Sequence, residues 1–308
     1  MEDRTKGDSM KRAVSISIGS SKRDKAVEID ILGERVRIER IGTDGDMQKA
    51  AELFRQLDGK VDAFGLGGAD LGIQVGQRHY QLHSVTPIVR YIKQTPLVDG
   101  AGLKNTLEAS LAQTIDAELG ELIQPRRALI TMGVDRHGMM RSFVDAGYDC
   151  AFGDLMFGLG IPIALRSERA LEIFGRLLAP LASRLPFEWL YPTGEEQEVR
   201  KPKWESHYQW ASVIAGDCHY VKRHMPDRMD GKVIVTNTTT TQDVDLFQSA
   251  GVSYLVTSTP VLEGRSFGTN MMEAALVAAS GSTRPLEHHE LAQIIERMGW
   301  KPQIHQLN

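Results

Sequence analysis

The chain is predicted to be an α/β protein, an N-terminal α/β domain followed by a doubly wound domain on a parallel sheet. Three observations carry that expectation. Short apolar runs alternate with amphipathic stretches along the second half, which is the pattern of βαβ units. Each of those runs ends in a polar loop, and open parallel sheets place ligands at their strand carboxyl ends. Finally, 42% hydrophobic and 25% charged residues over 308 positions suit folded domains and leave room for two.

The N-terminal domain is expected over residues 10–106. Ala13–Ile18 alternates as a strand does and stops at Gly19-Ser20-Ser21-Lys22-Arg23. Val27–Ile31 and Val36–Ile41 flank Gly33-Glu34 as a hairpin. Asp44–Leu57 has one apolar face and reads as a helix, and Val61–Leu66 reads as a buried strand ending in Gly67-Gly68-Ala69-Asp70. A short hairpin of Gly72–Val75 with Arg78–Leu82 turns at Gly76-Gln77. Helix Val85–Lys93 and strand Pro96–Val98 lead to the turn Asp99–Thr106. A connecting helix is expected over 107–125.

The second domain is expected over 126–281. Strand Ala128–Ile130 enters a loop bounded by Gly133 and Gly138. An amphipathic helix follows and stops at Ala146-Gly147, and strand Tyr148–Phe152 delivers Gly153-Asp154. An apolar helix runs from Glu168 to about Leu185, and Pro186–Lys203 reads as an excursion from the sheet. Three strands then end in polar loops: Ala211–Ala215 before Asp217, Lys232–Val235 before Asn237-Thr238, and Ser253–Val256 before Thr257. Helix Asp243–Ala250 lies between the last two, and helix Asn270–Ala279 closes the domain. Residues 282–308 are expected to pack back through helix Glu287–Met298, whose Leu291, Ile294, Ile295 and Met298 make one stripe.

A formal charge of −4 with no basic run argues against nucleic acid. No apolar run spans a bilayer, and the polar N-terminus is no secretion signal. Only Cys150 and Cys218 occur, far apart, which suits a cytoplasmic protein and excludes a cysteine-based zinc site. No H-E-x-x-H, Walker A or G-x-S-x-G pattern appears. A homo-oligomer acting on a small molecule, with no metal, nucleic acid or membrane, is the expectation.

Candidate functional residues fall in three places. The loop Gly133, Asp135, Arg136, His137, Gly138 before a helix is placed to seat a phosphate. Asp154, 21 residues beyond Gly133, sits close to the interval of about 20 at which an acid binds ribose hydroxyls. With Asn237, Thr238 and Thr257 these residues form the expected cofactor site of a Rossmann-like domain, for NAD or else NADP. Asp135 holds the third position of the G-x-G-x-x-G spacing, where its charge opposes a pyrophosphate unless Arg136 or His137 offsets it. An ordinary βαβ unit with glycines for tight turns is the alternative. Lys104, in the Gly-bracketed turn DGAGLKN, is the candidate acid or base, with Asp99 to orient it; a solvated lysine at a helix start is the alternative. Ser15, Ser17, Ser20, Ser21, Lys22 and Arg23 suit a polyhydroxylated carboxylate or a phosphate. Arg265-Ser266, His219 and His137 are further candidates, each equally readable as an ordinary loop residue.

The segments VSISIGSSKRD, DGAGLKNTLE, YPTGE and EGRSFGTNMMEAAL resemble bacterial proteins known as quinate 5-dehydrogenases, over about Lys11–Gly281. The resemblance implies relatives of the shikimate and quinate dehydrogenases, with a substrate domain followed by a nicotinamide domain. It implies that Ser15/Ser17 or Ser20/Ser21 hold the substrate carboxylate, and that Lys104 and Asp99 transfer protons. Asn105-Thr106 is similar to an Asn-Thr-Asp motif, with Leu107 where the acid belongs. Two functions follow. One is a nicotinamide-dependent oxidoreductase on a cyclic hydroxy acid, with hydride transfer and lysine-assisted proton transfer. The other is a non-redox protein on the same two-domain frame, a sensor or a lyase or transferase using the cleft.

Overall fold

The computed structural model describes residues 10–76, 78–190, 200–259, 261–262 and 265–308, with the side chains of 261–266 left aside. Gln77, half of the Pro186–Lys203 excursion (191–199), and the side chains of Arg265 and Ser266 therefore lie outside the described residues. In chain order the strands are β1 (Lys11–Ser17), β2 (Lys25–Ile31), β3 (Glu34–Gly42), β4 (Ala63–Gly67), β5 (Gly72–Val75), β6 (Arg78–Gln81), β7 (Leu97–Val98), β8 (Arg127–Ile130), β9 (Asp149–Phe152), β10 (Val213–Ala215), β11 (Val233–Thr236), β12 (Tyr254–Thr257), β13 (Val261–Leu262), β14 (Arg265–Ser266) and β15 (Gln303–Gln306). The helices are α1 (Met47–Leu57), α2 (Thr86–Val89), α3 (Ala101–Glu108), α4 (Leu111–Leu119), α5 (His137–Asp145), α6 (Glu168–Ala182), α7 (Phe187–Leu190), α8 (Glu205–Trp210), α9 (Cys218–His224), α10 (Thr241–Ser249), α11 (Thr269–Ser280) and α12 (His288–Met298).

The chain forms two compact units. The first gathers residues up to Leu71, Val85–Leu103 and Gly268–Leu291. Its sheet runs β2-β3-β1-β4-β7, parallel except for β2, which pairs antiparallel with β3 through the turn at Leu32-Gly33. Helix α11 is apolar on most of its surface, with Met271–Ala279 all buried and Glu273 the one charged residue among them, accepting the Leu103 N–H at 3.0 Å, so it needs cover nearly all round. It packs on β1, β3 and β4. The approach is close because Gly65 and Gly67 carry no side chain: a Cβ on Gly65 would meet the Asn270 carbonyl oxygen at 2.7 Å. The sequence boundaries put 126–281 in one body, whereas α11 belongs with the first sheet.

The second unit holds Gly72–Ser84, Lys104–Phe267 and Ala292–Asn308. Its sheet runs β15-β12-β11-β10-β8-β9. The five strands from β12 to β9 are parallel, and β15 closes the edge antiparallel to β12. Strands β10 and β11 are buried throughout, the pattern of a sheet covered on both faces. One apolar cluster includes Ile130, Phe143 and Val235; the other includes Leu129, Tyr208, Ile234 and Phe247. The architecture is mixed α/β with Rossmann-like parallel sheets. Because β8 lies between β9 and β10, the chain leaves it first to one side and then to the other. That reversal is the switch point where such sheets open a crevice.

Two helices replace the single connecting helix expected over 107–125. The break falls at Ala109-Ser110, where the Ser142 hydroxyl accepts the Ala112 N–H and supplies a partner from outside the helix. No helix among the described residues is long and apolar enough to cross a membrane.

Candidate functional site

The loop between β8 and α5 is closed by its own neighbours. Asp154 accepts the N–H groups of Gly133 and Val134, both at 2.9 Å. The Asn105 side chain accepts the Gly138 N–H at 3.1 Å. A Cβ on Gly138 would collide with the Asn105 carbonyl oxygen, so this glycine serves a backbone-to-backbone approach by α3. A pyrophosphate therefore meets no free N–H at Gly133, Val134 or Gly138, and the acid expected on ribose is spent on the loop. The residues present do not fit a dinucleotide seated there in this arrangement. Burial is the main force on the Asp154 carboxyl; with the nearby Asp135 charge it outweighs the N–H donors and pushes the group up to about 6.

Beside this loop, at the carboxyl ends of β8, β10 and β11, lies a network of five charged side chains. Arg136, 5% exposed, is its centre. Its Nη1 donates to Glu108 Oε1 at 2.5 Å and its Nη2 to Asp217 Oδ2 at 2.6 Å. Its Nε faces Asp135 Oδ2 at 3.3 Å. Lys104 Nζ, on an 11%-exposed side chain, donates to Asp135 Oδ1 at 3.0 Å. Asn237 Nδ2 donates to Asp217 Oδ2 at 3.0 Å, and Asp217 Oδ1 caps α9 through the His219 N–H. Burial pulls Arg136 down, but Glu108, Asp217 and Asp135 together hold it above the ordinary arginine value. Burial pushes Asp135 up, yet Lys104 and Arg136 hold it below the usual carboxylate range. Glu108 goes the other way: burial dominates and raises it. Its Oε2 is buried without a hydrogen-bond partner.

Asp99 and Lys104, expected as a pair, have separate partners. Asp99 accepts the Leu71 and Ala101 N–H groups at 2.7 and 3.0 Å and so starts α3. The carboxylate of Lys104 is Asp135. Thr106 and Thr257 are buried, and Thr238 is partly exposed. His137 is partly buried, and burial together with Arg141 lowers its pKa.

In the first unit, Ser15 is buried and accepts from Asn270 Nδ2 at 2.7 Å. Ser17, also buried, accepts from Arg40 Nη2 at 2.9 Å and from the Gly19 N–H. Ser20 caps the short 3₁₀ turn Ser21–Arg23 by accepting the Lys22 N–H, and the Ser21 N–H goes to Asp44. The hydroxyl oxygens of Ser15 and Ser17 thus accept hydrogen bonds from within the protein. Arg40 and Glu108 escaped the sequence reading. Arg40's signal was its place at the carboxyl end of an alternating strand; for Glu108 it was an acid on an otherwise apolar helical face.

The family model for the domain of unknown function DUF8754 matches residues 102–307, and that for the domain of unknown function DUF8753 matches 12–99. The chain belongs to the DUF8754 family. No curated protein matches it in sequence. Among solved structures it is similar to an NAD-dependent malic enzyme from Thermotoga maritima (10% identity, 94% of this chain and 85% of that one, TM-score 0.39). It is also similar to a glucose-galactose binding protein from Geobacillus stearothermophilus (12% identity, 96% and 97%, TM-score 0.36). A third is a solute-binding protein from Burkholderia graminis in complex with D-arabinose (9% identity, 99% and 97%, TM-score 0.38). Enzymes and non-enzymatic sugar-binding proteins both occur among these likenesses.

Proposed function

We propose that the protein is an enzyme that moves a proton on a small hydroxy acid through Lys104 and Asp135, without a nicotinamide lying on the 133–138 loop. One observation carries the reading: a nearly buried lysine amine 3.0 Å from a carboxylate, beside the switch point of a doubly wound sheet. Bringing five charged groups together, Arg136 and Glu108 among them almost fully buried, is costly unless they are paired, and perturbed ionisable groups cluster at functional sites. Lys104 offers a proton, and Asp135, held ionised by its two cationic neighbours, keeps the amine in place. Amine, carboxylate and Asn237 amide together suit a ligand with a carboxylate and several hydroxyls, such as a quinate- or shikimate-like ring acid. The dehydrogenase expected from the sequence needs the same proton-transferring pair and also a pyrophosphate seat. The N–H groups of that seat are taken, which favours the non-redox alternative.

The test combines melting curves with turnover. The melting temperature should rise with cyclic hydroxy acids and stay fixed with saturating NAD or NADP; a ligand at 100 times its dissociation constant stabilises by about 2.7 kcal/mol. Turnover, read by NMR in deuterated water, should fall about 10²–10⁴-fold in Lys104→Met. Stabilisation by NAD or NADP would return the protein to the dehydrogenases. Binding without turnover in the wild type would make it a sensor, and full activity in Lys104→Met would end the proposed role.

A further inference from the structure

We infer that the loop after β1 in the first unit is a seat for a phosphoryl group, formed by Arg23, Arg40 and Ser17 over the bare backbone of Gly19. The inference rests on residues other than the Lys104 network and stands apart from the reading above. Strand β3 brings Arg40 opposite Ser15 in parallel register, and its side chain is 10% exposed. Its Nη1 donates to the Ser20 carbonyl at 2.9 Å and to Asp24 Oδ1 at 2.8 Å, and its Nη2 donates to Ser17 Oγ at 2.9 Å.

The glycine reveals the cradle. A Cβ on Gly19 would lie 2.9 Å from Arg23 Nη2, 3.4 Å from Arg40 Nη2 and 3.4 Å from Ser17 Oγ. Two guanidinium groups from different elements and one hydroxyl thus converge beside a residue without a side chain. Like charges repel at such range, and the acids nearby do not fully offset them. Asp24 pairs with Arg40 and also accepts the Gly42 N–H, and Asp44 accepts the Ser21 N–H. Arg23 makes no ion pair among the described residues. Burial, and after it the Arg23 charge, pulls Arg40 below the ordinary arginine value, consistent with a pair of cations short of an anion.

One guanidinium fork satisfies a planar carboxylate. One nitrogen from each of two guanidinium groups and a hydroxyl around one point, approaching from separate elements, suit a tetrahedral dianion instead. The position, at the carboxyl ends of β1 and β3, is where parallel sheets leave ligands.

The experiment is calorimetric titration of the full chain with inorganic phosphate at fixed ionic strength, beside acetate and chloride. Phosphate should bind saturably and more tightly than either. Arg23→Met, a change on an exposed side chain, should weaken it at least ~10-fold. Gly19→Ala should do the same by filling the cradle, while Lys104→Met should bind phosphate as the wild type does. The inference is overturned if phosphate gives no saturable heat beyond chloride. It also fails if acetate binds as tightly, or if Arg23→Met keeps wild-type affinity.

Discussion

Replacing Arg136 by Met should remove the centre of the charge network while keeping most of the side-chain volume. The three acids would be left in different states. Asp135 keeps Lys104 at 3.0 Å, and Asp217 keeps Asn237 and its cap on α9. Glu108, with its side chain 1% exposed, loses its 2.5 Å partner and stays buried with both oxygens unpaired. Breaking a buried pair from one side costs about 3–5 kcal/mol, and that is the loss expected at pH 7 in urea unfolding. The pH dependence follows from Glu108. Its folded-state pKa already lies above its ordinary value because of burial, and loss of Arg136 raises it further. Such a group stabilises the fold below its unfolded pKa, and the benefit disappears as pH rises through the folded value. The penalty of Arg136→Met should therefore shrink at pH 5. The double variant Arg136→Met/Glu108→Leu should recover much of the loss, since an apolar replacement of both partners is often neutral. A single variant costing less than about 1 kcal/mol at pH 7, or a double variant no better than the single, would refute the assignment of an uncompensated charge.

Two further outcomes are expected. Gly138→Ala pushes a methyl group into the Asn105 backbone and should cost about 1–3 kcal/mol, read as a lowered melting temperature; an unchanged melting point would show that α3 and α5 do not approach as described. Asp154, pushed up to about 6 mainly by burial, stabilises the fold below its unfolded pKa near 4 and loses that contribution as pH rises through 6. The wild type should therefore lose about 2 kcal/mol relative to Asp154→Asn between pH 4 and pH 7, and parallel stability curves for the two proteins would contradict the shift.

The five parallel strands of the second half were legible as short, mainly apolar runs, and α5, α6, α10, α11 and α12 as apolar or amphipathic stretches, whereas α8 and α9, only six and seven residues long, were not. The candidate loop was legible too, as Gly133–Gly138 followed by Asp154. Its bonding was not, because Asn105 and Asp154 reach it from 33 and 21 residues away in sequence, and spacing cannot tell a phosphate seat from one already filled by the protein. The Lys104–Asp135 pair shows the same limit: Asp99 was nearer in sequence, but its oxygens start α3. Strand β15 was missed because Gln303–Gln306 is mostly polar, as an edge strand needs only one partner. Helix α11 was legible as a helix, but its mostly apolar surface did not say under which sheet it packs.

That helix sets the order in which the molecule can be finished. Strands β1–β4 and β7 are all synthesised before residue 100, yet the helix that covers them emerges more than 150 residues later. Until then the apolar face of the first sheet and the backbone at Gly65 and Gly67 stay open, a state prone to aggregation. The second unit's sheet, apart from β15, is complete in the meantime. The sheet made first is therefore covered only near the end of synthesis, shortly before β15 completes the second sheet. A fragment cut near residue 100, where the two family models part, would carry a full sheet and none of the helix that keeps it dry.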